Sequence, residues 1–404
     1  MTELCTDLDL EPASAVAVAP AWLKLALLSE GISPTPAFLD WFAQSQGYVR
    51  RRNFYNSPNW GGAEESVIPQ EIRLASETPV VVAVNNYGQS RWRLSHSGQV
   101  GVHILDTGTG QVHPVQLLRD LTAFQDDPDV ALVCNLYGGS ALSFFSPRAC
   151  YFFAEGTECR FCSLAGTADE ADEYANRLRP HEVRDAVAKV AAADDAALTQ
   201  IMIVGGNERN LDRGFVNQAA LVHAASDALA EAGLVDRVSV HLIAMPPNDL
   251  SLVEKLGEVP NVHAGFNLEV WAPDRFEQIA PGKAKDYGQG RILAALEQLR
   301  EVVGPYRAHS ILIAGLEDAQ STLAGARWMA ERGISPIVNS YHSDRHSVLG
   351  LSVRPTYEVL TEVASGLQHL HDSFPIQPYW KGCGRNAMDY EAANGLFRGT
   401  PAAL

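Results

Sequence analysis

The chain has 404 residues with 46% hydrophobic and 20% charged positions, the balance of an ordinary folded protein long enough for a (β/α) barrel plus an added region. A net charge of −17 with no basic run excludes a nucleic-acid surface, which needs clustered Lys and Arg to neutralise phosphates. Residues 1–21 lack the basic start and apolar core of a signal peptide, no apolar run approaches a membrane span, and Cys5, Cys134 and Cys383 are too scattered for a secreted disulfide framework, so a cytoplasmic protein is expected.

Residues 1 to about 18 are acidic and Pro-broken and are expected as a disordered tail. Residues 21–30 and 35–46 read as helices, with Ser33-Pro34 as the turn between them. Residues 47–69, rich in Arg, Asn, Gly and Ser, show no periodicity and read as loop. Strand-like runs at 79–84, 91–94 and 100–105 are separated by Asn-Tyr-Gly and His-Ser-Gly turns, and 115–124 reads as a short helix. Residues 1–130 are therefore expected to form a small N-terminal α+β region.

From Ala131 strands alternate with helices of ten to eighteen residues, which implies βαβ units and a parallel sheet. Strands are expected at 142–145, 200–204, 237–243, 262–268, 309–313 and 335–339. Helices are expected at 180–193, 215–232, 250–256, 288–303 and 321–332, with a closing helix over 355–373. The fold class is α/β, with six β/α units where a full barrel has eight. Residues 131–375 are expected to form the barrel, followed by a C-terminal extension over 376–404.

Chemistry concentrates in one loop. Cys150, Cys159 and Cys162 give the spacing C-x8-C-x2-C directly after the first barrel strand. Three thiolates on one loop can hold three irons of a cubane cluster and leave the fourth open, whereas a closed structural zinc site needs four ligands. A zinc knuckle or structural cluster is the alternative for three clustered Cys.

Other strand ends add polar groups where parallel β/α folds gather their reactive residues. The second strand runs out through Gly205-Gly206-Asn207-Glu208; paired glycines let backbone approach a ligand closely. After the fourth strand, Asn267 and Glu269 stand two apart and are expected on one face, with Arg275 or Arg291 as structural partners for Glu269. The fifth strand leaves through Ile313-Ala314-Gly315-Leu316-Glu317. Beyond the sixth, His342, Arg345 and His346 suit an anionic ligand or a solvated loop.

In this order the motifs resemble those of the radical S-adenosylmethionine (radical SAM) enzymes, over residues 141–373. Phe161 matches the aromatic that precedes the last Cys in that family, while the eight-residue first gap departs from the commonest spacing of three. The resemblance implies a partial (β/α)6 TIM-like barrel and a 4Fe-4S cluster held by Cys150, Cys159 and Cys162. It also implies S-adenosylmethionine bound near Gly205, Gly206, Asn207 or Glu208 by its amino group. Asn267 and Glu269 would take the ribose, and Ile313 and Leu316 the adenine. An electron donor such as flavodoxin or ferredoxin is implied as partner, with a small molecule, or less favourably a peptide, as substrate. No second Cys cluster and no cobalamin motif accompany the barrel, which disfavours the branches that need them.

Cys383, between Gly382 and Gly384, reads either as an exposed, mobile hydrogen-atom donor or as an inert loop residue. A non-catalytic zinc- or cluster-binding scaffold is the alternative for the whole protein.

Overall fold

The computed structural model describes residues 18–50, 68–168 and 177–401. The expected tail, apart from Val18, and most of the expected 47–69 loop lie outside those residues.

Prolines at the first turn start two helices, α1 (Pro20–Glu30) and α2 (Pro36–Gln44); the Thr35 hydroxyl caps the second by accepting from the Phe38 amide at 3.2 Å. Between them Ser33-Pro34 is not a turn but a short strand, β1 (Ser33–Pro34), parallel to Arg93 and Leu94. Proline is tolerated there because β1 lies at a sheet edge, where its missing N–H costs no ladder bond. The strands β2 (Glu71–Leu74), β3 (Val80–Ala83), β4 (Trp92–Ser97), β5 (Gly101–Asp106) and β6 (Val112–Leu117) complete a six-stranded sheet ordered β1-β4-β5-β6-β2-β3.

Two of these strands, β2 and β6, were not expected, and β6 takes the first three residues of the expected 115–124 helix. Its own pattern explains the correction. Val115 is buried between exposed Pro114 and Gln116, a period of two that suits a strand with one buried face. Only α3 (Thr122–Asp126) is helical there.

After α4 (Pro128–Val133), β7 (Asn135–Tyr137) pairs antiparallel with β8 (Ala141–Phe145). The turn between them takes Gly138 and Gly139 at φ 59° and 77°. The chain then enters a repeating pattern. Helices α5 (Tyr151–Ala154), α6 (Leu164–Ala168) and α7 (Pro180–Asp194) lead to β9 (Gln200–Val204). Next come α8 (Leu211–Glu231), β10 (Ser239–Ala244), a 3-10 helix over Leu250–Leu256, and β11 (Val262–Phe266). Then follow α9 (Pro273–Ile279), α10 (Pro281–Asp286), α11 (Gln289–Val303), β12 (Ala308–Ala314), α12 (Ala319–Glu331), β13 (Ser335–Ser340), α13 (Tyr357–Ser373) and α14 (Asp389–Ala393).

The second sheet is ordered β13-β12-β11-β10-β9-β8-β7, with β8 through β13 all parallel. Spatial order follows chain order without reversal, which marks a singly wound partial (β/α)6 barrel rather than a doubly wound sheet. One continuous apolar core runs through both sheets. Among the described residues no helix is long and apolar enough to cross a membrane.

The free edge of β13 is covered by the C-terminal segment. The Ser340 amide donates to the Asn386 carbonyl at 2.8 Å, the Met388 amide to the Val338 carbonyl at 3.1 Å, and the Ala83 amide of β3 to the Arg385 carbonyl at 3.2 Å. Residues 385–388 thus join the barrel to the first sheet. Helix α1 fixes this bridge: the fully buried Lys24 ammonium donates to the Gly384 carbonyl and to Glu391 Oε1, both at 2.7 Å.

Breaking such a pair leaves a buried uncompensated charge, so Lys24→Met should destabilise the protein by about 3–5 kcal/mol in denaturant unfolding. A loss below about 1 kcal/mol would show that the bridge does not depend on this contact.

Candidate functional site

The first barrel strand ends at Phe145, and the loop after it is clamped by the Gly205-Gly206 turn. The Ser146 amide donates to the Val204 carbonyl at 2.7 Å, the Gly206 amide to the Pro147 carbonyl at 2.8 Å and the Tyr151 amide to the Asn207 carbonyl at 2.9 Å. A Cβ on Gly205 would stand 2.4 Å from the Ser146 carbonyl oxygen; one on Gly206 would stand 2.3 Å from the Ala149 carbonyl oxygen and 2.8 Å from Cys150 Cβ. The glycines are therefore needed first for this backbone approach. Cys150 leads into the single turn of α5, which takes up part of the long first gap. The return to Cys159 and Cys162 is braced from α9 and α10: the Arg160 amide donates to the Ile279 carbonyl and the Gly282 amide to the Thr157 carbonyl, each at 2.9 Å.

All three thiols face one cavity of about 200 Å³, also lined by Phe161, Gly205, Gly206, Asn207, Asn267, Glu269 and Lys283. Burial pushes the Cys159 thiol up and that of Cys162 up to about 12. Among the described residues no three His, Cys, Asp or Glu side chains are gathered to hold a single metal ion.

Of the two candidates after Gly206, the structure separates the roles. Asn207 lines the thiol cavity, its Nδ2 lying 3.5 Å from Cys150 Sγ. Glu208 turns into the flank of the barrel, bound by Arg213 at 2.9 Å, Asn217 at 2.8 Å and Arg177 at 3.1 Å. Asn267 and Glu269 are brought to the same cavity as expected, although β11 has ended at Phe266. Glu269 adopts φ 71°, and its amide and carbonyl bond to the Ile311 carbonyl and the Ile313 amide at 2.9 and 2.8 Å.

The partner of Glu269 is neither Arg275 nor Arg291. Arg275 is held by the Leu316 carbonyl and Gln278, and Arg291 by Asn248. Glu269 Oε1 instead takes the Lys283 ammonium at 2.6 Å, and Lys283 also donates to the Asn267 carbonyl at 3.0 Å. Burial opposes the Lys283 charge, yet Glu269 and the nearby thiols hold its pKa above the ordinary value. Sequence reasoning missed Lys283, which lies fourteen residues from its partner; the Pro-Gly preceding it, at the start of α10, was the available signal.

A second cavity of about 390 Å³ adjoins the first and shares Phe145, Phe161, Val204, Ile243, Asn267 and Glu269 with it. Ile313 lines this space, whereas Leu316 is buried in the core away from both cavities. Glu317 accepts from the Trp271 and Ala272 amides at 2.8 and 2.9 Å and so holds the turn beyond Glu269. His342 and Asp344 reach the larger cavity; Arg345 and His346 bond to each other outside its lining.

Cys383 is neither exposed nor mobile. It is fully buried, its Sγ lies 3.4 Å from Gln200 Oε1, and burial pushes its thiol up to about 12. It lines neither cavity, because the segment carrying it packs against Gly138, where a Cβ would meet the Cys383 carbonyl oxygen at 2.0 Å. The expectation of a hydrogen donor presented at the barrel mouth is overturned.

No family model matches the chain. It is 26% identical over 198 residues to bacteriochlorophyllide c C-7(1)-hydroxylase of Chlorobaculum limnaeum, a match covering 47% of this chain and 46% of that protein. The chain thus spans about half the length of the curated relative it matches. Among solved structures it is similar to HydG, a maturase of the FeFe-hydrogenase, at 15% identity and TM-score 0.43, over 58% of this chain and 51% of that one. It is likewise similar to a radical SAM methyltransferase from Sphaerobacter thermophilus at 17% identity and TM-score 0.43, over 70% and 76%. The chain resembles radical SAM enzymes in the order of its motifs, and Cys150, Cys159, Cys162, Gly205, Gly206, Asn207, Asn267, Glu269 and Ile313 line the two cavities.

The clamp yields a direct test. Gly206→Ala must displace the Ala149–Cys150 backbone, so the variant should take up less than about a tenth of the wild-type iron on anaerobic reconstitution while remaining folded by circular dichroism. Full iron uptake would show that Gly206 does not position Cys150.

Proposed function

We propose that the protein is a radical SAM enzyme in which Cys150, Cys159 and Cys162 hold a 4Fe-4S cluster and the adjoining cavities hold S-adenosylmethionine and substrate. The observation that carries this is the convergence of three thiols from one loop on a single cavity, beside the Gly205-Gly206 turn and the Asn267–Glu269 pair. The donor set fits the cluster. Among the described residues it offers three thiolates and no fourth, since Cys134 and Cys383 are buried elsewhere, which leaves one iron for a small-molecule ligand. A closed structural zinc site would need a fourth protein ligand beside these three thiols.

When bound, the cluster and S-adenosylmethionine supply reductive cleavage of the cofactor's C5′–S bond and abstraction of a substrate hydrogen atom. The chain's residues position and shield. In this reading Asn207 and the Gly205-Gly206 backbone receive the cofactor's amino group and Glu269 accepts ribose hydroxyls, which their shared lining of the thiol cavity supports. Lys283, which supports Glu269 from within the same cavity, adds a fixed positive charge suited to the cofactor's carboxylate. Phe161 and Ile313 give apolar surface for the adenosyl group and help exclude water. Residues 131–375 are the catalytic barrel in this reading, residues 1–130 the covering region and residues 376–404 the extension that closes its edge. An electron donor of flavodoxin or ferredoxin type is the implied partner, in a cytoplasmic setting. A small molecule is the favoured substrate, in a biosynthetic role.

Anaerobic reconstitution should give about four irons per chain and a brown protein, and Cys150→Ala, Cys159→Ala and Cys162→Ala should each lose the cluster. Glu269→Gln should retain iron but weaken S-adenosylmethionine binding by about 1–3 kcal/mol, measured by equilibrium dialysis. A colourless protein that binds one zinc through the same cysteines would instead establish the scaffold reading.

A further inference from the structure

Lys283 and Glu269 are only 6% and 7% exposed, so the pair holds two charges out of bulk water in a cavity it shares with all three thiols. Both are fixed from the backbone. The Gly282 amide donates to the Thr157 carbonyl at 2.9 Å, and a Cβ on Gly282 would stand 2.5 Å from that carbonyl oxygen and 2.3 Å from Phe152 Cδ1. This approach ties the start of α10 to the loop that carries Cys150 and Cys159, and Lys283 is the next residue along. Its ammonium is then held by Glu269 Oε1 at 2.6 Å and by the Asn267 carbonyl at 3.0 Å. Glu269 is anchored to β12 by its own amide and carbonyl.

Such a pair is a poor way to hold a fold together, because burying two charges costs about as much as their attraction returns. Its placement gives both charges an electrostatic task. Burial opposes the Lys283 charge, Glu269 favours it most and Cys159 next, which puts the ammonium within electrostatic reach of that thiol. Charges act strongly on one another where little water screens them, and net charge around an iron–sulfur cluster is one of the settings of its potential. Glu158 is the other charged residue in the lining; it is half-buried and unchanged in the comparisons below.

A cluster held by Cys150, Cys159 and Cys162 takes up one electron from an external reductant of flavodoxin or ferredoxin type, or from dithionite. No bond to the protein forms or breaks, and the cavity gains one negative charge. We propose that the Lys283–Glu269 pair sets the potential at which this electron enters, the ammonium raising it and the carboxylate lowering it. The proposal goes beyond the S-adenosylmethionine contacts given to these two residues, and it rests on the cluster part of that reading.

Reconstituted wild type, Lys283→Met and Glu269→Gln are titrated with dithionite in the absence of S-adenosylmethionine, and the cluster potential is read by electron paramagnetic resonance. Each substitution nearly keeps the side chain's shape and removes one charge, leaving the other uncompensated. Lys283→Met should lower the potential and Glu269→Gln should raise it. Each shift should reach at least about three-fold in the ratio of reduced to oxidised cluster, about 28 mV for one electron. Side chains that only shaped the cavity would not move the potential in opposite directions according to their charge.

Shifts of the same sign, or a smaller shift in either variant, would overturn the proposal. Should one variant take up no iron, the other decides alone. Loss of the cluster from both would also overturn it, because the pair would then be a requirement of assembly. Iron content and visible absorption of the wild type are read first. A wild type without a cluster sinks the cofactor reading, whereas a cluster whose potential ignores both charges sinks this proposal alone.

Discussion

The barrel mouth is organised by a close approach of two backbones, the Gly205-Gly206 turn and the stretch from Ser146 to Cys150. Three interstrand and loop hydrogen bonds tie them, and no side chain larger than hydrogen fits at either glycine. This approach sets where Cys150 stands, and it turns Asn207 toward the thiols while sending Glu208 into the barrel flank. A cluster ligated from a flexible loop would be poorly placed; here the loop is pinned on one side by β9 and on the other by α9 and α10.

A second constraint is the buried Lys283–Glu269 pair. Taking two charges out of water is expensive, and a pair this enclosed is weak grounds for stability. Its position gives it a different use. Both groups line the thiol cavity, so the pair keeps a carboxylate oxygen and an ammonium fixed beside the three thiols. The unusual φ of Glu269, held by two backbone bonds to β12, fits strain kept at a functional position.

The barrel was legible because its signals are local. Apolar strands, amphipathic helices and their turns predict all six parallel strands, and the C-x8-C-x2-C loop marks three thiols that the structure brings to one cavity. One miss is local, the period of two in β6 being read as a helix; the others are short or non-local. β7 is three residues long and β1 only two, too short for any periodicity to register. Lys283 acquires meaning only from Glu269 across a turn. Of the two readings of Cys383, exposed donor or inert residue, burial leaves the second: Gly384 packs on the Trp380 side chain, and Gly138 closes on the Cys383 backbone. The floor of the barrel escaped notice entirely. His241, His263 and His309 come from three strands: His263 stacks on His241, His241 and His309 lie against Tyr379, and burial holds all three imidazoles below their ordinary pKa, His263 at about 3. No sequence spacing links residues that meet only across a parallel sheet.

The central claim is that this thiol cavity carries out reductive cleavage of S-adenosylmethionine. It is tested most directly by incubating anaerobically reconstituted protein with S-adenosylmethionine and dithionite and quantifying 5′-deoxyadenosine by mass spectrometry. The account predicts slow formation of 5′-deoxyadenosine and methionine without any substrate, absent when Cys162 is replaced by Ala. A protein that carries a full cluster and binds the cofactor yet yields no 5′-deoxyadenosine would contradict it.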